Sequence, residues 1–401
     1  ASYAAQESSL NLPADEALLR EVKRVADQKA GPKLKYSIVV GIGGSNLGAK
    51  AIYDALYGYR DLMEPARFPK MLFAETTDPE WLASALQLID NLSDPQEVLV
   101  TLISKSGSTL ETVANFEIIM QALRAKFEGA ESRVVAVTGE GSALWDQASS
   151  LGLTCLQIPE PVGGRYSVLS AAGLLPLLSV GVDIVQLRQG ANAVLDRYLG
   201  GDDSMNMAAR SAAVLFSHNK QGYTINDNFF FHPELESVGK WYRQLLGESV
   251  GKKESLDGQM VHTGITPTVS LGSTDLHSVG QLYLGGPKDK LTTFVSCGQY
   301  KPVSIPAERM MPELIPMIHG KSAADIMTAI LEGVKTAYQK AGLPFMEVTL
   351  DALNEQSLGA FLQFKMLEMM YLGKLFNVNS FDQPSVEDYK VETKRLLEAQ
   401  S

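Results

Sequence analysis

The segment Tyr36-Ser-Ile-Val-Val-Gly41 is a short β-branched run that ends in glycine, and a helical pattern from about Leu47 to Tyr57 follows it. The same succession of apolar run and helical stretch recurs along the first half of the chain. Further apolar runs lie at 71–74, 97–103, 133–138 and 154–158. Continuous apolar strands that alternate with helices are typical of a parallel sheet covered by helices on both faces. We therefore predict a doubly wound α/β fold here.

The second half of the chain shows a similar alternation after a polar break at residues 200–203. Strands are predicted at 223–226 and 291–296. A helical segment at 168–198 precedes the break, and helices are predicted after it at 208–218, 235–246, 322–340 and 358–375. The sequence thus predicts two α/β domains, which we place at residues 1–183 and 184–401, the second with a C-terminal helical tail.

The composition excludes several classes of protein. Of the 401 residues, 45% are hydrophobic and 20% are charged, so disordered and collagen-like chains are excluded. The net charge of -11 disfavours nucleic-acid binding, because an acidic surface repels phosphate backbones. Neither a signal-peptide pattern nor a membrane span is found, and Cys155 and Cys297 lie in apolar runs typical of reduced thiols. We expect a cytoplasmic protein without nucleic-acid or membrane partners.

The glycine-rich segment Gly41-Ile-Gly-Gly-Ser-Asn-Leu-Gly48 follows the first predicted strand, where open parallel sheets bind ligands. It is not a dinucleotide fingerprint, because Asn46 occupies the place of the last glycine. It is not a P-loop either, because no Lys-Ser/Thr pair follows at the required spacing. The segment is therefore either an anion-binding turn or a tight turn that simply requires small residues.

The segment Ser104-Lys-Ser-Gly-Ser-Thr109 places four hydroxyl groups and a lysine between a strand and a long helix. Hydroxyls, an ammonium group and the free N–H groups of a helix start are suited to an isolated phosphate monoester. The alternative is a helix cap made by Ser108 or Thr109 without any ligand. Capping requires one hydroxyl rather than four, so we favour a phosphate site.

Three further segments carry candidate catalytic groups. Two glycines precede Arg165, and Gln244 and Glu248 share one face if their helix continues to residue 248. A glutamate at a helix end, such as Glu248, can act as a general base. Lys390 follows a proline-containing turn. Read singly, each could instead be a solvated surface charge. The five histidines, which include His277 among polar neighbours, show no metal-binding spacing.

Taken together and in this order, these segments resemble the phosphoglucose isomerase family. The stretch Glu160-Pro-Val-Gly-Gly-Arg-Tyr-Ser-Val-Leu-Ser-Ala-Ala-Gly173 is similar to one family signature throughout. The stretch Phe381-Asp-Gln-Pro-Ser-Val-Glu-Asp-Tyr-Lys390 is similar to the other, except that Ser385 stands where the family usually has glycine. A glycine would take a positive φ more easily than this serine does. The similar segments run from about residue 38 to residue 390, nearly the whole chain.

The resemblance implies two SIS-type (sugar isomerase) domains, each a parallel sheet flanked by helices. It implies a homodimer with active sites at the subunit interface. The implied reaction is the reversible isomerisation of glucose 6-phosphate and fructose 6-phosphate in glycolysis and gluconeogenesis, without a metal or an organic cofactor.

Site residues also follow from the resemblance. Glu248 would move a proton between C2 and C1 through a cis-enediol, and Arg165 would stabilise the developing negative charge. His277, supplied by the neighbouring subunit, and Lys390 would open the sugar ring. The phosphate would be held by Ser104, Ser106, Thr109 and the amide of Lys105, and the sugar would be lined by Gly44, Ser45, Gln244 and Gln383.

Two alternatives remain open. The first is a non-catalytic SIS-domain sensor of sugar phosphates, which would have no use for Glu248, His277, Arg165 and Lys390 together. The second is a phosphosugar isomerase that also accepts mannose 6-phosphate. A Rossmann oxidoreductase is disfavoured, because the dinucleotide fingerprint is not present.

Overall fold

A computed structural model describes residues 2–200 and 206–399. The chain folds as two compact units: unit 1 is made of Ala1–Met205 with Leu358–Met366, and unit 2 of Asn206–Ser357 with Leu367–Ser401. The domain limits expected from the sequence, 1–183 and 184–401, stay a prediction. The predicted polar break at 200–203 lies, beyond Gly200, outside the described residues.

Unit 1 contains a five-stranded parallel sheet with the order β2-β1-β3-β4-β5. Its strands are β1 (Tyr36–Val40), β2 (Lys70–Ala74), β3 (Val98–Ile103), β4 (Val134–Thr138) and β5 (Thr154–Gln157). Every residue of β3 and β4 is buried. This is why these strands are continuous apolar runs in the sequence, since helices cover both faces of a parallel sheet.

Helices flank the sheet of unit 1, and several of them begin at side-chain caps. They are α1 (Glu16–Lys29), α2 (Leu47–Leu56), α3 (Arg60–Met63), α4 (Pro79–Asp90), α5 (Leu110–Lys126), α6 (Ala143–Ser150), α7 (Ala171–Ser179) and α8 (Ile184–Leu199). The helical segment predicted at 168–198 consists of two helices, α7 and α8. Gly181 has a φ of +89° and interrupts it, and the Asp183 carboxylate accepts from Val185 N and Gln186 N to start α8.

Unit 2 contains a four-stranded parallel sheet with the order β11-β10-β6-β9 and a separate antiparallel hairpin of β7 and β8. Its strands are β6 (Ile225–Phe230), β7 (Lys252–Glu254), β8 (Met260–Thr263), β9 (Thr266–Leu271), β10 (Lys290–Cys297) and β11 (Phe345–Leu350). The strand predicted at 223–226 corresponds to β6, which begins later, at Ile225, and ends at Phe230. Strands β7, β8, β9 and β11 were not predicted.

The helices of unit 2 complete the architecture. They are α9 (Met207–Lys220), α10 (Glu236–Val250), α11 (Gly280–Gly285), α12 (Ala323–Ala341), α13 (Glu355–Phe376) and α14 (Glu387–Glu398). Residues Leu358–Met366 of α13 belong to unit 1. No helix within the described part of the chain has the length and apolar character that crossing a membrane requires. Both units thus consist of a parallel sheet with helices, and the predicted α/β fold class is confirmed.

Candidate active site

The strand order of unit 1 defines where a ligand would bind. Strand β1 pairs with β2 on one side and with β3 on the other, so the chain reverses its direction across the sheet between β1 and β3. Such a switch point opens a crevice at the carboxyl ends of the strands. The loops that follow β1 and β3 are the glycine-rich and serine-rich segments. The two loops start side by side, because a Cβ built on Gly41 would lie 3.0 Å from the carbonyl oxygen of Ile103, the last residue of β3.

The serine-rich loop is held by its own hydroxyl groups. The Ser104 side chain, 2% exposed, accepts a hydrogen bond from Gly107 N at 3.1 Å and lies 3.1 Å from the Thr109 hydroxyl. Thr109 is the N-cap of α5, but its side chain makes no capping hydrogen bond. The loop geometry therefore favours the predicted phosphate site over the simple cap, and the assignment of Ser104, Ser106 and Thr109 stays a prediction.

Lys105 supplies the positive charge of this loop. Its side chain is half-buried, and this burial lowers the pKa of the ammonium group, while the nearby carboxylate of Glu160 opposes the shift. A dianionic phosphate at the loop would raise the pKa again, because a negative charge stabilises the ammonium form. Binding of an anion at the loop would therefore stabilise the protonated form of Lys105.

Two tight turns pack against each other above β1. A Cβ built on Gly44 would lie 2.3 Å from the carbonyl carbon of Gly164 and 2.7 Å from Arg165 N, so only glycine fits at position 44. The Ser167 hydroxyl donates to the carbonyl oxygens of Gly44 (3.2 Å) and Gly164 (2.8 Å). Gly44, Ser45 and Arg165 are therefore held together. Arg165 is 2% exposed, so the alternative of a surface arginine is wrong.

We expect Gly44→Ala to destabilise the protein by about 1–3 kcal/mol, because the added methyl group overpacks the contact with Gly164. The displaced turn should also lower the rate of any reaction that uses Arg165. Gly31→Ala is the matched control, because a Cβ on Gly31 would meet no atom within 4 Å. Thermal unfolding of both variants tests this prediction, which equal melting temperatures would contradict.

The candidate base lies on α10 in unit 2. Because α10 continues to Val250, Gln244 and Glu248 share one face, and Gln244 Nε2 donates to Glu248 Oε1 at 3.0 Å. Both side chains are half-buried. The remaining amide oxygen, Gln244 Oε1, is buried and finds no hydrogen-bond partner within the described residues. An unsatisfied buried acceptor is costly, and a substrate hydroxyl would satisfy it.

His277 is an exposed residue at the end of the 3-10 turn Thr274–His277. The neighbouring Asp275 carboxylate accepts from Leu271 N and the Ser278 hydroxyl, each at 2.8 Å. Asp275 therefore holds the turn rather than the imidazole ring. This leaves His277 on the surface of its own chain.

Gln383 and Lys390 belong to the segment that follows α13. Both are exposed; Gln383 precedes the 3-10 turn Pro384–Val386, and Lys390 lies on α14 with its ammonium 2.7 Å from the Glu387 carboxylate. Ser385 adopts no positive φ, since His262 and Asn377 are the only non-glycine residues that do so in the described ranges. Serine is therefore unstrained where the family usually has glycine.

The candidate residues fall into one set in each unit. Unit 1 carries Gly44, Ser45, Ser104, Lys105, Ser106, Thr109 and Arg165, and unit 2 carries Gln244, Glu248, His277, Gln383 and Lys390. Across residues 2–200 and 206–399, no group of three or more His, Cys, Asp or Glu side chains is arranged to hold a metal ion.

The second sheet has its own switch point, between β6 and β10, and aromatic side chains occupy it. His232 follows β6, and its ring stacks on Tyr300 at 4.3 Å between centroids. Burial lowers the pKa of His232, which favours the neutral ring. No sequence motif indicated this stack.

A cavity of about 410 Å³ lies between α10 and β9 in unit 2. Its charged lining residues are Glu236, Lys240, Arg243 and Asp275. Lys240 and Glu236 neutralise each other in an ion pair of 2.7 Å. None of the residues predicted from the sequence lines this cavity.

A second feature that the motifs did not indicate is the ion pair between the buried Lys252 and Asp382, whose charged atoms lie 2.8 Å apart. The two residues are separated by 130 positions, so no local pattern could reveal the contact.

Comparisons with known proteins agree with these motifs. Residues 21–400 match the family described as "Phosphoglucose isomerase". The glucose-6-phosphate isomerase of Methanocaldococcus jannaschii is 33% identical over 362 residues, which are 90% of this chain and 84% of that protein. The crystal structure of a hypothetical protein from Thermus thermophilus superposes with a TM-score of 0.88 at 32% identity, covering 98% of this chain and 90% of that one.

A glucose-6-phosphate isomerase from Chlamydia trachomatis has the same fold, with a TM-score of 0.81 at 23% identity over 98% of this chain and 75% of that one. The family match extends over nearly the whole chain, as the order of the motifs led us to expect. The chain belongs to the phosphoglucose isomerase family.

Proposed function

We propose that this protein is a glucose-6-phosphate isomerase, which interconverts D-glucose 6-phosphate and D-fructose 6-phosphate in glycolysis and gluconeogenesis. The observation that carries the proposal is the half-buried Glu248 carboxylate, oriented by Gln244 at 3.0 Å in a chain of this family. The name of the Methanocaldococcus jannaschii relative supports the same activity. We further propose a cytoplasmic homodimer.

The proton transfer requires a single base. Isomerisation of an α-hydroxy carbonyl moves a proton from one carbon to its neighbour, so the group that removes the proton also returns it. Glu248 takes the proton from C2 of the open-chain aldose and delivers it to C1 of the cis-enediol. Gln244 holds the carboxylate in one orientation during both steps.

The cis-enediol intermediate develops negative charge on oxygen, and Arg165 is proposed to stabilise it. A guanidinium fixed in a buried position stabilises developing charge more strongly than one in water. Arg165 is 2% exposed and is held by the packing of the turns around Gly44 and Gly164. The side chain therefore needs little reorganisation when the charge develops.

The phosphate group supplies binding energy away from the reacting carbons. In the proposed site the hydroxyls of Ser104, Ser106 and Thr109, the amide of Lys105 and the N–H groups at the start of α5 bind the dianion. Such remote binding orients C1 and C2 relative to the base without itself taking part in the chemistry. Gly44, Ser45, Gln244 and Gln383 line the sugar.

Ring opening is a separate step, because the cyclic sugar does not present its carbonyl. We propose that His277 and Lys390 move the protons of the ring and hydroxyl oxygens. The His277 ring lies exposed on its own chain. This position supports a role in the active site of the neighbouring subunit of a homodimer.

The purified protein should convert fructose 6-phosphate to glucose 6-phosphate with EDTA present and without an added cofactor. Heat-denatured protein is the control, and mannose 6-phosphate as a second substrate tests the specificity. If fructose 6-phosphate raises the melting temperature but is not converted, the protein is a sugar-phosphate sensor and the isomerase proposal fails.

A further inference from the structure

We infer that Lys252 is a positioning residue for the isomerisation, which anchors the loop of Gln383 to the end of the helix that carries Glu248. The inference rests on the function proposed above. Lys252 is the first residue of β7, and only Gly251 separates it from the end of α10, the helix that carries Glu248, at Val250.

The Lys252 side chain is almost fully enclosed, with 7% of the residue exposed. Its ammonium group donates to the Asp382 carboxylate at 2.8 Å and also to the Asp382 backbone carbonyl. A buried ammonium is stable only when it is paired and hydrogen-bonded, so this contact strongly restrains both residues. Asp382 is the residue immediately before Gln383.

The hairpin of β7 and β8 also holds the other end of the same loop. Leu256 N donates to the Asn377 carbonyl at 2.8 Å, and Asn377 Nδ2 donates to Asp257 Oδ2 at 2.5 Å. Within the loop, Asn379 Nδ2 donates to the second carboxylate oxygen of Asp382 at 3.0 Å. The loop 377–382 is thus fastened at both ends to the segment that leaves the base-bearing helix.

The anchor matters because the helix that follows this loop is not held by burial. No residue of α14 (Glu387–Glu398) is buried, so packing contributes little to the place where this helix begins. Because Asp382 directly precedes Gln383 in the chain, its anchored position helps to set where Gln383 lies and where the turn toward Lys390 begins. Lys252 acts through these residues and need not touch the substrate itself.

The test compares Lys252→Met with Lys253→Met, since Lys253 is the exposed neighbour on the same strand. We expect Lys252→Met to lower kcat/KM for fructose 6-phosphate by about 10–100-fold, because misplaced substrate contacts cost roughly this much. Lys253→Met should leave it unchanged. Lys252→Arg should recover part of the loss, because it keeps the charge and the donors.

A double-mutant cycle separates positioning from general destabilisation. If Lys252 acts through the loop, Lys252→Met should cost much less in a Gln383→Ala background than in the wild type. Equal losses in both backgrounds would overturn the inference. So would full activity of Lys252→Met.

Hydrogen exchange gives a readout that does not depend on activity. Amides of residues 379–386 should exchange faster in Lys252→Met than in the wild type or Lys253→Met, while β10 remains protected. Equally accelerated exchange in β10 would show a structural role and overturn the inference. A folded wild-type protein without turnover would overturn the proposed function and the catalytic part of the inference, whereas the exchange data would still decide whether Lys252 anchors the loop.

Discussion

Replacement of Glu248 by glutamine should lower kcat for fructose 6-phosphate by about 10²–10⁴-fold, the usual contribution of a general base. An amide of the same shape cannot accept the proton from carbon. It keeps an oxygen that can accept the hydrogen bond from Gln244 Nε2, so the helix face should be preserved. Affinity for the sugar phosphate should therefore change little.

Turnover is followed by coupled detection of glucose 6-phosphate, and binding by the ligand-induced rise in melting temperature. Glu254→Gln is the control, since Glu254 is an exposed carboxylate shortly after the same helix. Near-normal turnover of Glu248→Gln would remove Glu248 from the mechanism. Loss of the ligand-induced stabilisation would instead assign Glu248 to binding.

Arg165→Met should lower kcat by about 10²–10³-fold, the usual effect of removing one group that stabilises an oxyanion. The methionine side chain fills much of the space of the arginine but carries no charge for the cis-enediol oxygens. Binding of the phosphate group should be largely retained, because the proposed phosphate contacts come from the serine-rich loop.

Arg133→Met is the matched control for the loss of a buried arginine. Arg133 is 8% exposed and donates to the carbonyl oxygens of Val98 and Lys29. Val98 is the first residue of β3, so Arg133 lies at the amino ends of the strands, whereas the serine-rich loop lies at their carboxyl ends. Both variants should lose stability, and only Arg165→Met should lose turnover. Equal kcat values for the two variants would contradict the role of Arg165.

The fold of unit 1 could be predicted from the sequence because its central strands, β3 and β4, are buried on both faces. Each strand from β1 to β4 is an apolar run, and the loops that follow β1 and β3 carry the glycine and serine motifs. Hydrophobic burial and turn chemistry act over a few residues, so they leave a local pattern.

The sheet of unit 2 was less predictable because polar side chains are buried in it. In β6, Asn226, Asp227 and Asn228 are fully buried. Asn226 donates to Leu291 O at 3.0 Å, and Asp227 accepts from the Ser270 hydroxyl at 2.9 Å. Buried polar groups are tolerated when partners satisfy them, and those partners lie on strands far away in the sequence.

For the candidate site, the sequence alone predicted the motifs and determined which family they resemble, and the family match confirmed that resemblance. The structure alone decided that Gly44 packs on Gly164, that Gln244 is bonded to Glu248, and that Lys252 reaches Asp382 across 130 residues. The physical reason is the range of the interactions. Motifs and periodicity depend on neighbours along the chain, whereas these contacts depend on strand order and loop packing, which arise only when the whole unit folds.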